Sequence, residues 1–454
     1  MKLRFAFAAL VAVLAGSTFA APRNIGINVL LNTDVTDALV ADLSQYGRVG
    51  NRLLSIDAVT MSIAESQLDA IRALPYVAAA NPDAERQGAP VDTVGASDFA
   101  NGVNTWDNDA INVTQIGTPT RQVPFDGSGV YVAVLDTGLL DNWRRYFPQE
   151  RIATQFAKAF GGGGGFNGVV SEPTNKWEHD QNSHGTHVTS TVLGYALGAT
   201  PINGVAPRAN VIPVKVLNQN GSGWSSVVAR GIEYIADLKN SGALGGAPVV
   251  INMSLGGSVL DAVEKAAIDY AVASGVIIVA SAGNRGAAGM GFPGAYAPVI
   301  SVAAAGWIGQ WAPAGNNSWW NNRDVPESAG AEQFYIATFS SRQLAGQDLD
   351  VSAPGAWVVG PYQLNSSNQI SYFFLSGTSM SSPHVAGIAA LMMQKNPSLA
   401  QGMVETLLEG AAKPMAAGCA IVGLPGTATT QVCWGVDAVG HGFITADAAL
   451  AVTP

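Results

Sequence analysis

The chain predicts an α/β fold: a parallel sheet covered by helices on both faces, preceded by a small α+β unit. Three observations carry this expectation. Continuous apolar runs recur at 130–135, 211–217, 249–255, 276–280, 299–303 and 349–353, too uniformly apolar for strands with one wet face. Helical spacing lies between several of them, at 184–193, 225–238 and 261–273, which is the alternation of a parallel sheet joined by crossover helices. Ahead of these, residues 22–88 carry a shorter strand and helix rhythm of their own.

Residues 1–20 read as an export signal. Lys2 and Arg4 form the positive start, 5–15 the apolar run, and Thr18-Phe19-Ala20 a small-x-small cleavage site. The apolar run is shorter than the ~20 residues a membrane span needs. The small unit follows, with strands expected at 24–31, 52–61 and 76–80 and helices at 36–46 and 62–74, a β-α-β-α-β order. Residues 87–106 turn polar and rich in Gly, Ala, Ser and Asp, the character of an exposed, cleavable linker. The division is therefore 1–20, 21–100 and 101–454. Two stretches break the rhythm of the large domain. A five-glycine run within 160–168 lacks the strand–helix context of a phosphate loop and reads as a flexible insertion. The Trp- and Asn-rich stretch 307–333 is either a surface loop or part of a cleft.

Composition narrows the function classes. Of 454 residues 48% are hydrophobic and only 12% charged, with a net charge of −10 and no basic run. Nothing draws the chain to nucleic acid or to an anionic membrane. The two cysteines, Cys419 and Cys433, are expected to pair in an exported protein. Such a loop closure contributes roughly 3 kcal/mol on the chain-entropy account.

Four motifs stand where a parallel sheet places its sites, at carboxyl ends of strands. Val132–Gly138 ends an apolar strand in Asp136 before a glycine turn. Residues 180–188 lead a polar loop into a helix at His184. Residues 277–284 end a strand near the amide of Asn284. Residues 377–384, Gly-Thr-Ser-Met-Ser-Ser-Pro-His, open an apolar helix with hydroxyls and place Pro383 in its first turn. Singly, each is a turn former or a helix cap. Together they offer a nucleophile in Ser379, a base in His184, a carboxylate in Asp136 and an oxyanion donor in Asn284.

These motifs, with Gly-Val-Ala-Pro at 204–207, Val-Lys-Val-Leu at 214–217, Asn-Met-Ser-Leu-Gly-Gly at 252–257 and Val-Ser-Ala-Pro-Gly at 351–355, resemble the subtilisin-like serine proteases in order and spacing. The resemblance implies that Ser379 attacks a peptide carbonyl, His184 shuttles the proton, Asp136 orients the imidazole, and Asn284 holds the oxyanion with the Ser379 N–H. Loss of the corresponding amide in subtilisin costs roughly 10²–10³ in kcat. His187 and His384 are expected to be structural. Met380, beside the nucleophile, exposes the site to oxidation.

For substrate, Ser254, Leu255, Gly256 and Gly257 resemble the edge that pairs with an extended peptide. Gly283 and Gly291 would bound a roomy pocket, so broad cleavage with an apolar bias is expected. Arg285 either draws acidic residues or is a solvated charge, and Asp180 would favour basic ones. Residues 21–100 would be an inhibitory propeptide cut away at the 90–106 linker. No cofactor is required for the chemistry. Structural calcium is left open: Gly198 stands where many relatives use a side-chain amide, and 316–324 is only an oxygen-rich turn. The expected partners are protein and peptide substrates and the chain's own propeptide, on a secreted monomer.

Overall fold

The computed structural model describes residues 23–454 except 97–98, 116–117, 165–167, 312–324, 327–329, 366–368 and 427. The export signal, the 316–324 turn and most of the Trp-rich stretch lie outside the described residues.

The large domain is built on an eight-stranded sheet. From one edge its strands are Lys158–Ala159, Asn210–Lys215, Tyr131–Asp136, Val249–Met253, Val276–Ser281 and Ile300–Trp307, all parallel. Val351–Pro354 continues the parallel set on Ile300–Trp307, and Phe334–Ile336 closes it antiparallel. The first long strand, Tyr131–Asp136, lies in the middle, with its successors on opposite sides. That is a switch point, where the connections leave in opposite directions and open a crevice at the carboxyl ends.

Alternation along the strands explains the unbroken apolar runs. Val132, Val134, Val250, Ile277 and Val279 face one way, into a core shared with helices His184–Leu193 and Thr378–Lys395. Ala133, Leu135, Val249, Ile251, Ile278 and Ala280 face the other way, into a core shared with Ser225–Asn240 and Ala262–Ala273. With both faces covered, the interior positions of the long strands are buried on both sides of the sheet.

The N-terminal unit is a four-stranded antiparallel sheet with its own small core of Ile27, Val29, Leu43, Val59, Met61 and Ile71. Its order is β-α-β-β-α-β, not the alternation expected. The residues taken as one strand at 52–61 belong to a hairpin of Gly47–Leu53 and Ala58–Ala64, joined through a turn at Asp57 with φ 52°. The second strand is mostly half-exposed and carries two glycines and two arginines, so it has no apolar period to read.

Two other expectations change. Within the linker, Asp92–Gly95 is hydrogen-bonded as an edge strand to Tyr372–Ser376. The described glycines of the run, 161–164, are wedged between the two units: Gly161–Gly162 pairs with Val170–Ser171, and Gly164 N–H donates to Asp83 at 2.6 Å. Gly164 has φ 47°, and any Cβ there would lie about 2 Å from the Trp224 ring, so only glycine fits. No helix among the described residues is long and apolar enough to cross a membrane.

Candidate active site

Asp136 is the last residue of the central strand and is fully buried. Its Oδ1 accepts from the Thr137 N–H at 2.7 Å, and His184 Nδ1 lies 2.8 Å from Oδ1 and 3.0 Å from Oδ2. The imidazole opens helix His184–Leu193 from an unusual entry, because Ser183 sits at φ 79°. Asp180 holds that loop. It accepts from the Asn182 and Ser183 N–H groups and the Thr137 hydroxyl, at 3.0, 2.8 and 2.7 Å. Asp180 is only 3% exposed, with Lys215 Nζ 3.7 Å away. Burial pushes its carboxyl up and pushes the Lys215 amine down, so desolvation outweighs their attraction. The expectation that Asp180 faces a substrate side chain is therefore corrected: it shapes the loop into His184.

Ser379 lies in the first turn of Thr378–Lys395. Pro383 lies inside the helix, in its second turn and not in the first as expected, and has no N–H, so the Ser379 carbonyl loses its helical donor four residues on. Ser254 supplies the replacement, its hydroxyl donating to Ser379 O at 2.8 Å. In return Ser379 Oγ donates to Ser254 O at 3.1 Å, while His184 Nε2 is buried without a hydrogen-bond partner. Asp136 and His184 are thus coupled, and the serine hydroxyl is turned aside.

Asn284 follows strand Val276–Ser281 through Gly283, whose φ of 103° excludes a side chain without strain. The Asn284 Oδ1 accepts from the Thr378 N–H and hydroxyl, at 2.9 and 2.8 Å. That fixes the amide so that Nδ2 is left to face the crevice beside Gly377. Thr378 was not singled out from sequence, and a threonine next to a candidate nucleophile gives no signal of it.

A cavity of about 590 Å³ opens beside Ser379, Thr378 and Asn284, lined also by Gly256, Gly257, Gly283 and Gly291 among others, with Arg285 exposed at its wall. Of the expected binding residues, Ser254 contacts Ser379, Leu255 is buried in the helical core, and Gly256 and Gly257 present their backbones. Gly257 exchanges hydrogen bonds of 2.8 Å with Phe292, which holds the floor segment.

His187 is fully buried, with its pKa driven down to about 3 by desolvation, and donates no charge to the site. His384 bridges the Met380 carbonyl at 2.8 Å and Asp107 at 3.0 Å, tying the start of the large domain to helix Thr378–Lys395. Cys419 and Cys433 form a disulfide across the hairpin Gly418–Gly423 and Thr429–Trp434, away from the site.

Asp348, Asp350 and Glu405 bring three carboxylates within 4.8 Å of one another. Asp350 Oδ1 is buried without a hydrogen-bond partner, and burial raises Asp350 to about 8 and Glu405 to about 7. A cation would relieve that crowding.

The groove is filled by the chain itself. Glu85–Gln87 lies antiparallel to Ser222–Trp224, and Gln87 also pairs with Gly256. Behind it the N-terminal unit docks through a buried polar seam. Asp83 accepts from Ser225 Oγ and the Ser226 N–H, at 2.8 and 2.9 Å. Asn28 donates to Asp83 and Asp261, at 3.0 and 2.7 Å, and Arg86 forms a two-pronged pair with Glu264, both fully buried.

Comparison with known proteins agrees with this architecture. A family model described as the subtilase family matches residues 127–435. The chain is 35% identical over 280 residues to the thermostable alkaline protease of Halalkalibacterium halodurans, covering 61% of this chain and 60% of that one. It is 35% identical over 292 residues to subtilisin DY of Bacillus licheniformis, covering 63% and 85%. In fold it is similar to fervidolysin from Fervidobacterium pennivorans, a keratinolytic enzyme related to subtilisin. There the TM-score is 0.64 at 22% identity, over 94% of this chain and 61% of that one.

Proposed function

From the premise that the chain belongs to the subtilase family of serine endopeptidases, we propose that it is a secreted endopeptidase made as a precursor, cutting proteins with a broad, apolar-biased specificity. The observation that carries this reading is the extended polypeptide already lying against Gly256, two residues from the serine that touches Ser379. A groove that accepts a strand by main-chain pairing suits polypeptide substrates.

In the proposed reaction Ser379 Oγ leaves Ser254 O, gives its proton to His184 Nε2 and bonds to the substrate carbonyl carbon. Asp136 holds Nδ1–H and stabilises the imidazolium. Asn284 Nδ2 and the Ser379 N–H receive the oxyanion. The imidazolium then protonates the leaving amine, and water repeats the sequence on the acyl-enzyme. The glycine-lined cavity supplies the apolar bias: Arg285 stands at its wall, and the other charged lining residue, Glu85, belongs to the N-terminal unit that leaves with the propeptide. The N-terminal unit acts as the inhibitor of the precursor, the product acts as a monomer, and Asp348, Asp350 and Glu405 would hold a structural cation.

The test is casein hydrolysis by wild type and Ser379→Ala. In subtilisin, loss of the nucleophile costs about 2 × 10⁶ in kcat, and a similar loss is expected here, with the variant remaining an uncut precursor. Hydrolysis by the variant at the wild-type rate would refute the assignment. A peptide library demanding one charged residue at the cut position would refute the apolar bias.

A further inference from the structure

The segment that crosses the site is held on both sides of the nucleophile. Upstream, Gln87 exchanges two hydrogen bonds of 2.9 Å with Gly256, and the Gly88 N–H donates to Gly221 O at 2.8 Å. Downstream, the Val91 N–H donates to Ser376 O at 2.6 Å, and Asp92 pairs opposite Ser376 as the next strand begins. The free play between these anchors is two residues, Ala89 and Pro90.

An antiparallel register advances on one strand as it retreats on the other. Gln87 opposite Gly256 therefore brings Ala89 opposite Ser254, whose carbonyl accepts from Ser379 Oγ. The neighbours agree. A Cβ on Gly88 would lie 3.4 Å from His184 Cε1, and one on Gly377 would lie 3.7 Å from Pro90 Cα. Ala89 lines the same cavity as Asn284 and Ser379. The bond laid across the nucleophile is Ala89–Pro90.

That bond is a poor one to cut. Hydrolysis joins Ser379 Oγ to the Ala89 carbonyl carbon and breaks the bond to the Pro90 nitrogen, which must take its proton from His184. The proline nitrogen carries ring Cδ where another residue carries hydrogen, and its φ is locked near −65°. The ring crowds the approach of the imidazolium, and the anchors at Gln87 and Val91 prevent the backbone from swivelling to relieve it.

We infer that the segment seated in the groove is a built-in non-substrate: the precursor closes its site with a peptide bond it does not cleave, and the mature N-terminus arises downstream of Pro90. This rests on the reading of the site as a protease. Pro90 then acts as a latch, since the segment must leave the groove before the linker is cut.

The experiment follows full-length wild type, Pro90→Ala and Ser379→Ala by intact mass and N-terminal sequencing over time. Wild type is expected to yield a start beyond position 90. Pro90→Ala is expected to start at position 90 and to process about tenfold faster, a barrier change of ~1.4 kcal/mol. A wild-type product beginning at Pro90, or a P90A chain with unchanged start and rate, overturns the inference. A synthetic peptide of residues 83–95, offered to the mature enzyme, gives a measurement free of folding effects. It is expected to inhibit and stay intact, while the same peptide with P90A is cut after Ala89; cleavage of the native peptide at that bond overturns the inference. The underlying reading fails separately, if Ser379→Ala matures like wild type and the mature chain leaves casein untouched.

Discussion

The central sheet and the seam beneath the N-terminal unit are equally dry and built from opposite chemistry. The sheet is packed by apolar side chains on both faces, around Ile251 and Ile278 on one and around Val250 and Ile277 on the other. At the seam the buried groups are Asn28, Asp83, Arg86, Ser225, Asp261 and Glu264, nearly all joined by directed hydrogen bonds. An aliphatic core is non-directional and is exposed only by unfolding. A polar seam is strong only while every partner is in place, and water can satisfy its groups once the halves part. The difference is what the proposed loss of the N-terminal unit would require of the two regions.

The comparison can be broken at its strongest point first. Glu264→Ala strands a buried guanidinium and is expected to weaken docking by about 3–5 kcal/mol, read as binding of the separately supplied N-terminal unit to the large domain. The paired change Arg86→Met with Glu264→Leu is expected to restore docking or exceed it; equal damage by both would mean the seam works by packing and not by pairing. Ile251→Ala, in the sheet, is expected to cost about 2–5 kcal/mol in denaturant unfolding of the large domain and to leave docking unchanged in the molecules still folded.

The smallest expected effect is a pH dependence confined to the seam. Burial, then the neighbouring Asp261, raises the Asp83 carboxyl above its usual range, with partial relief from Ser225 and Ser226. The docked state therefore keeps a proton that the free unit has lost. Docking is strongest below the ordinary carboxylate range and weakens as pH rises through and above it. Asp83→Asn should flatten that slope in a binding titration, whereas a slope unchanged by the substitution would assign it to other groups.

Much of the site was legible because its residues are locally marked. Asp136 ends a strand, His184 begins a helix, Asn284 follows a strand and Ser379 precedes Pro383, so each motif carries its own backbone signature. Asp180 was misread for the opposite reason. A carboxylate in a polar loop looks solvated, and only the folding of Thr137, Asn182 and Ser183 around it makes it a buried acceptor. Thr378 and Asp107 were silent, their partners lying 94 and 277 residues away.

The sequence by itself determined the two-sided sheet and pointed to Asp136, His184, Asn284 and Ser379 as candidates, because apolar periodicity and motif order are local properties. It could not determine the path of Glu85–Gly95. Apart from Arg86 and Val94 those residues are mostly exposed or shaped by backbone contacts, and they become strands by borrowing hydrogen bonds from Ser222–Trp224, Gly256 and Tyr372–Ser376. Which bond faces Ser379 is a matter of register, and register is set by the whole fold closing around the segment.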